Sequence, residues 1–445
     1  MLVGLMSLAE RADGFFGITA RGSTPVREVR AGIVTFLAMS YIMVVNPTML
    51  GDAGMNVSHV FTATVLSAAV ATLVMALYAR YPIAQGPGMG INAFFTYTIV
   101  LAMGYTWEQA LAATFVAGVL FFILSVGKIR RAMIMAIPSD LRLSIAAGIG
   151  CFLLIVGLNG SHIIVASSST LVTLGNLTDP AVALAIFGIF LTVVLYLKKI
   201  TGSIFIGMIV TAAFGMIIGV IDVPSKLFAV PEMPDVGAFL TGLETVPWDL
   251  SFIVIIFSML LVDFFDSTGT IMSVGQKAGL LEPDGDLKEG NKPFVSDAVG
   301  TICGAVLGVS SVTSYAESTT GIAAGGRTGL MALTVAGLFL VSLFLWPVLS
   351  VVSYPCTVAA LVIVAVIMMT TLKDLHWQDP VAALTAVGTI AFMMLTYSIT
   401  DGMGFGLLFY TVGMLATGRR RKVSPVIYAL TAVFIIYFAV TAASF

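Results

Sequence analysis

Charge is what this chain has least of. Only 10% of its 445 residues are Asp, Glu, Lys or Arg, whereas soluble proteins run near a quarter. Hydrophobic residues make up 59%, and a soluble body so apolar would carry large sticky patches. The 21 basic residues face 23 acidic ones, which excludes a basic nucleic-acid arm and a disordered, highly charged chain. Cysteine is scarce: Cys151, Cys303 and Cys356 lie far apart in apolar runs without metal-ligand spacing. That excludes a disulfide scaffold and leaves them as buried, reduced, structural thiols. Histidine is equally rare, and His59, His162 and His376 sit near the ends of apolar runs. No HExxH, triad or metal cluster is present, so neither an intramembrane enzyme nor a bound cofactor has support. Residues 1–30 include Arg11, Asp13, Arg21, Arg27 and Arg30. They lack the short apolar core and cleavage site of a signal peptide, and read as a cytoplasmic N-terminal segment.

Long apolar runs are what the chain has in abundance, and runs of roughly 20 such residues cross a bilayer as helices. The first half reads as spans at 31–50, 57–79, 83–103, 107–127, 141–158, 180–198 and 203–221. After a polar, proline-containing connector (222–248) come 250–271, 293–308, 310–327, 328–350, 354–371, 380–398 and 401–417. A further apolar stretch, 425–442, is a fifteenth crossing or an interfacial helix. With the N-terminus in the cytoplasm, 20 of the 21 basic residues fall on the cytoplasmic side. Lys128, Arg130, Arg131, Arg327 and the run Arg419 to Lys422 are among them, and Lys226 alone falls outside. The expectation is an all-α polytopic membrane protein of about 14 spans, in a plasma membrane (the inner membrane of a bacterium). Two halves of seven spans are inverted with respect to each other. Asp179-Pro180 opens the sixth span and Asp379-Pro380 the thirteenth, each before a similar apolar run. This trace of duplication fits the inverted repeats of secondary transporters.

Two spans make poor helices. The third opens with Tyr81-Pro-Ile-Ala-Gln-Gly-Pro-Gly-Met-Gly90, and the tenth reads Gly308-Val-Ser-Ser-Val-Thr-Ser-Tyr-Ala-Glu-Ser-Thr-Thr-Gly321. Each holds third place in its half. Irregular backbone at membrane depth survives only where protein buries it or a polar cavity meets it. Paired breaks therefore point to a midplane site, against the plainer reading of tight packing and a hinge.

Three acids lie inside the spans: Asp263 and Asp266 in the eighth and Glu317 in the tenth. Each costs on the order of 2.5–3.5 kcal/mol to insert, so their retention suggests use, although a structural ion pair or helix-to-helix hydrogen bond is the bland alternative. Asp263 and Asp266 are three apart, near enough to share surroundings, and two carboxylates in a dry cavity resist joint ionisation. Asn92 reads a heterocycle's edge or caps a half-helix. Phe94, Phe95 and Tyr315 flank the same region and either stack on a planar ligand or pack.

GPGMGINAFF (86–95), DFFDSTGT (263–270) and SSVTSYAESTTGIAAGGRTGL (310–330) resemble the signature segments of the AzgA-like purine permeases. These form the adenine and hypoxanthine/guanine branch of the nucleobase–cation symporters. The resemblance runs from about Gly22 to Arg419 and includes RGSTPVREVRAGIVTFLAMSYIMVVNPTML (21–50). It implies a seven-plus-seven inverted repeat with a core domain (31–127 and 249–350) and a gate domain (128–221 and 351–442). It also implies a site where short extended pieces of spans 3 and 10 face span 8. By motif position Glu317 resembles the acid that hydrogen-bonds the base, Asp266 the acid of proton coupling and binding, and Asn92 the asparagine of recognition. Ala316, Phe94 and Tyr315 are the further substrate-contact candidates, and Asp263 is a second proton-coupling candidate outside the core of the pattern. The implied activity is import of a purine nucleobase with a proton, by elevator-like alternating access. An anion carrier of the same architecture and an uncoupled channel are the rivals. Oligomeric state stays open, a homodimer being one candidate.

Overall fold

The computed structural model describes residues 10–126, 137–224, 226–282 and 287–443. Lys128, Arg130 and Arg131, which the orientation argument used, lie outside the described residues. Among the described residues nine helices are long and apolar enough to cross a membrane, and four shorter apolar helices accompany them. The chain is thus a mostly helical polytopic protein.

Helix α1 (Pro25–Met39) begins six residues before the expected start of the first span. Thr24 accepts from the Arg27 N–H, and proline takes the first helical position, where its missing N–H costs nothing. Glu28 lies in the first turn of this helix. It is fully buried, and its carboxylate accepts from the backbone N–H groups of Arg327 (2.8 Å) and Thr328 (3.1 Å). Those groups open helix α13, where free N–H donors favour an anion. The first span is also broken. α1 ends at Met39, and α2 (Ile42–Asp52) restarts after Ser40 and Tyr41. Pro47, inside α2, can neither donate to the carbonyl four residues earlier nor avoid crowding it, which loosens the turn upstream.

The first half continues with α3 (Val57–Val74), whose last turns widen through Ala79. Strand β1 (Gln85–Pro87) follows, then α4 (Met89–Ala93), extended by wide turns to Ala102. Next come α5 (Trp107–Val126) and α6 (Ser139–Gly160). A hairpin of β2 (Ile164–Ser167) and β3 (Leu171–Leu174), which the span reading missed, precedes α7 (Pro180–Leu197) and α8 (Ser203–Ile217). The connector 222–248 contains α9 (Ala238–Thr245).

The second half runs α10 (Leu250–Lys277), α11 (Asn291–Leu307), β4 (Val312–Ser314), α12 (Ser318–Ala323) and α13 (Gly329–Ser342). The short α14 (Trp346–Leu349), then α15 (Tyr354–Met369), α16 (Pro380–Leu395), α17 (Ile399–Ala416) and α18 (Pro425–Ala443) complete it. The final apolar stretch is thus a helix, packed on α17 and α10.

Both Asp-Pro pairs cap as expected: Asp179 accepts from Ala181 N–H at 2.8 Å and Asp379 from Val381 N–H at 3.0 Å. Asp379 also pairs with Arg419 through two guanidinium hydrogen bonds, which hold its carboxyl down to about 2. The cysteines are free, with Cys151 and Cys356 buried and Cys303 partly so.

Packing sorts the helices into two groups. α1, α3 and α13 pack together, and α11 joins α3 to α5 and α9. Separately, α15 and α16 pack on α6, α17 lies on α16, and α7 and α8 lie on each other and on α15. Small residues set the closest approaches. A β-carbon on Gly242 of α9 would sit 1.9 Å from the backbone oxygen of Glu108 on α5. Backbone cannot swing aside as a side-chain tip can, so Gly242→Ala must push α9 off α5. We expect a loss of about 1–3 kcal/mol, read as a lower thermal midpoint of the purified protein.

Candidate functional site

The two broken spans meet as strands. β1 and β4 pair antiparallel with Gln85 opposite Ser314, Gly86 opposite Thr313 and Pro87 opposite Val312. The ladder extends through Gly88 N–H to Ser311 O (3.0 Å) and Tyr315 N–H to Ala84 O (2.9 Å). Backbone without helical partners is thereby satisfied inside protein. The Gly-Pro-Gly stretch forms the strand because proline forbids continued helix, and the tight ladder needs small residues. A β-carbon on Gly88 would lie 2.6 Å from the Thr313 methyl.

Each strand then feeds a helix, β1 into α4 and β4 into α12. The first N–H groups of both helices lack intrahelical partners. Next to these starts lies an open hollow of about 90 Å³. Gly88, Met89 and Gly90 line it from the β1–α4 side, and Thr313 to Glu317 from the β4–α12 side. Asp266 and Thr270 of α10, Tyr41 from the α1–α2 break, and Val364, Ile367 and Met368 of α15 close the ring. The hollow therefore sits between the two packing groups. Its two acids, Asp266 and Glu317, are each partly exposed, and no Lys, Arg or His lines it among the described residues. The Tyr41 hydroxyl donates to Glu317 Oε1 at 2.7 Å, and that of Tyr315 to the Pro87 carbonyl at 2.5 Å. Tyr315 is thus held in the wall by its own hydrogen bond.

Behind the strands lies a second, sealed layer of polar groups. Asp297 of α11 is fully buried, with both carboxylate oxygens occupied. Oδ1 accepts from Gln85 Nε2 (2.7 Å) and Ser314 Oγ (2.5 Å), and Oδ2 from Ser267 Oγ. Ser267 is also 2.9 Å from Thr313 Oγ1. One carboxylate thus ties both strands to α10, one residue from Asp266. Asp297 falls near the start of its span, where acids are ordinary, so the reading that only three acids lie within the spans is corrected here. Tyr41 was missed as well, because tyrosine in an apolar run carries no hydropathy signal. Pro47 was the available hint.

Of the seven candidate residues, the structure gathers Glu317, Asp266, Ala316 and Tyr315 around the hollow. The other three lie outside its lining. Asn92 is buried and its Oδ1 accepts from Ser310 Oγ, so it joins α4 to the segment before β4. Phe94 is fully buried packing. Asp263 is buried one turn before Asp266, where Oδ2 accepts from Thr301 Oγ1 at 2.7 Å. Three residues of helix turn the side chain through about 60°, enough to put Asp266 on the hollow and Asp263 against α11. The hydroxyl-rich tenth span is largely internal glue: Ser310, Ser311, Thr313, Ser314 and Ser318 all bond neighbouring elements.

Comparison with known proteins adds four findings. A model of a permease family, Xan_ur_permease, matches residues 27–402. The chain is 40% identical over 435 residues to the guanine/hypoxanthine permease PbuG of Bacillus subtilis, spanning 95% of this chain and 98% of that one. It is 37% identical over 428 residues to the adenine permease AdeP of Escherichia coli, spanning 95% and 94%. Among solved structures, the transmembrane domain of the cyanobacterium bicarbonate transporter BicA matches with a TM-score of 0.59 at 14% identity, over 88% of this chain and 96% of that one. At such identity the likeness is one of fold.

Proposed function

Because this chain belongs to the xanthine/uracil permease family, in its purine-permease branch, we propose that it imports purine nucleobases, adenine or hypoxanthine and guanine, together with protons. The observation that carries this reading is the pairing of Glu317 and Asp266 on one hollow beside two helix starts. A neutral purine presents N–H donors and ring-nitrogen acceptors around a flat edge. Glu317 accepts from such donors, and backbone at Gly88–Gly90 and Ala316 supplies complementary groups. Tyr315 contributes apolar wall. Asn92, Phe94 and Asp263 act from behind, by holding α4 and α10 against the ladder.

Asp266 takes the proton. A carboxylate that alternates between charged and neutral forms beside the cargo couples the two, provided both favour the same conformer. The packing group of α1, α3, α5, α9, α11 and α13 serves as core. The group of α6–α8 and α15–α17 serves as gate, with the hollow between. Sliding of one past the other carries the site across the membrane, elevator fashion, within a seven-plus-seven inverted repeat whose N-terminus is cytoplasmic in the bacterial inner membrane. The chemistry of the hollow runs against an anion cargo, since it offers two acids and no cation among the described residues.

The test is uptake of labelled adenine and hypoxanthine into proteoliposomes, with and without an imposed proton gradient. Indifference to both bases defeats the cargo, and gradient independence defeats the coupling. Asp266→Asn separates the roles. We expect gradient-driven accumulation to fall at least tenfold, while exchange of labelled for unlabelled base across the membrane persists.

A further inference from the structure

Tyr41 stands at the break between α1 and α2, 2% exposed, with its hydroxyl on Glu317 Oε1 and its ring on the hollow. No other side chain donates to the Glu317 carboxylate among the described residues. One carboxylate oxygen is therefore held by a side chain, and no side chain holds the other, Oε2, which faces the cargo in this reading. We propose that Tyr41 is a specificity-determining positioning residue: by holding Oε1 it restricts Glu317 to a single acceptor facing the base. This rests on the purine reading above.

The consequence is chemical. Guanine carries N1–H and a 2-amino group side by side, two adjacent donors that match both oxygens of a free carboxylate. Hypoxanthine carries N1–H without that amino neighbour, so a carboxylate with one oxygen available treats the two bases alike on this edge. Removing the tyrosyl oxygen frees Oε1 to rotate toward the cargo. Guanine then gains a second charge-assisted hydrogen bond, and hypoxanthine loses the held orientation.

The test is equilibrium competition by guanine and hypoxanthine against labelled hypoxanthine, on the purified full chain and on Tyr41→Phe. Phenylalanine keeps the ring, and the thermal midpoint checks folding. The expected result is an affinity ratio, guanine over hypoxanthine, raised about tenfold in the variant. A parallel Glu317→Gln, Tyr41→Phe double variant should lose that gain, because an amide presents one acceptor only. A ratio unchanged in a folded Tyr41→Phe protein overturns the assignment, as does an equal loss for both bases, which a merely structural role produces. A parent protein that binds neither base, nor adenine, instead overturns the purine reading itself.

A different cluster lies at the other end of α15. Asp52 Oδ2, at the end of α2, accepts from Tyr97 OH (2.8 Å) and Tyr354 OH (2.6 Å), and the two hydroxyls are 2.6 Å apart. Tyr354 opens α15, and its ring lies against Gly160 of α6, where a β-carbon would meet it at 2.3 Å. Tyr97 also sits edge-on to Phe152 of α6 and to Tyr397. Asp52 is on α2, which packs on α3, and Tyr97 on the continuation of α4, which packs on α5, whereas Tyr354 belongs to the group of α6–α8 and α15–α17. From Tyr354 to Ile367, on the wall of the hollow, is about 20 Å of helix.

The geometry points to a latch: this triad closes the seam between the two groups at one end, while the hollow lies beside the opposite half of α15. Any sliding that exposes the hollow at the triad's end must break these hydrogen bonds. Tyr354→Phe removes one hydroxyl and leaves the ring in its slot. With Ala316→Cys as reporter in the hollow, membrane-impermeant maleimide is applied to oriented vesicles from either side. Tyr354→Phe should raise labelling from the triad's side at least threefold and lower it from the other. Equal labelling in both backgrounds contradicts the latch.

Discussion

Glutamine at position 317 is expected to weaken purine binding by roughly 10- to 150-fold, the value of a hydrogen bond to a charged group. The fold should survive. Glu317 is partly exposed on the hollow, and glutamine keeps an oxygen for the Tyr41 hydroxyl, so no buried donor is stranded. The loss should appear in affinity, measured by titration of labelled base on purified protein, with the thermal midpoint within a few degrees of the parent. A variant that unfolds early but binds normally when folded would move Glu317 from the cargo to the scaffold.

The opposite pattern is expected at Asp297. Alanine there removes the common acceptor of Gln85, Ser314 and Ser267, all fully or nearly fully buried. Ser267 keeps Thr313 Oγ1 as a partner, and at about 1–3 kcal/mol for each of the other two groups, Asp297→Ala should destabilise the protein by at least about 2 kcal/mol. Function should fail with it, since the same carboxylate fixes both strands of the ladder to α10. Asp297→Asn retains an acceptor for Gln85, and the serine hydroxyls can rotate to accept from its amide. It should therefore fold close to normally. Thermal unfolding of the two variants in detergent reads the difference, and an Asp297→Ala midpoint equal to the parent's would show that the network holds nothing together.

The contrast between these two acids marks what the sequence could reveal. The spans were legible because a bilayer demands long apolar runs, and Asp179-Pro180 and Asp379-Pro380 because an N-cap followed by proline is a local signal. The breaks in spans 3 and 10 were legible because glycine and proline cannot sustain a helix there. That Glu317 and Asp266 share a hollow followed from their cost at membrane depth. Residues whose meaning depends on a distant partner were not legible. Asp297 resembles an ordinary acid near a span's beginning until Gln85 and Ser314, from two other segments, are seen against it. Asn92 sits in an exceptional motif, but nothing local shows that Ser310 donates to its Oδ1. Tyr41 gave no hydropathy signal, since its role comes from the break at Ser40–Tyr41 and a partner in the tenth span. The β2–β3 hairpin did leave a signal, β-branched runs flanking Ser-Ser-Ser-Thr, that a search for membrane helices passes over.

The central claim, that base and proton meet where the two interrupted spans cross, is tested most directly by an experimental structure determined with saturating hypoxanthine or adenine. The base should lie in the hollow, with one edge within hydrogen-bond distance of Glu317 Oε2 and Asp266 beside it. A base bound elsewhere, or a hollow still empty at saturation, would contradict the account.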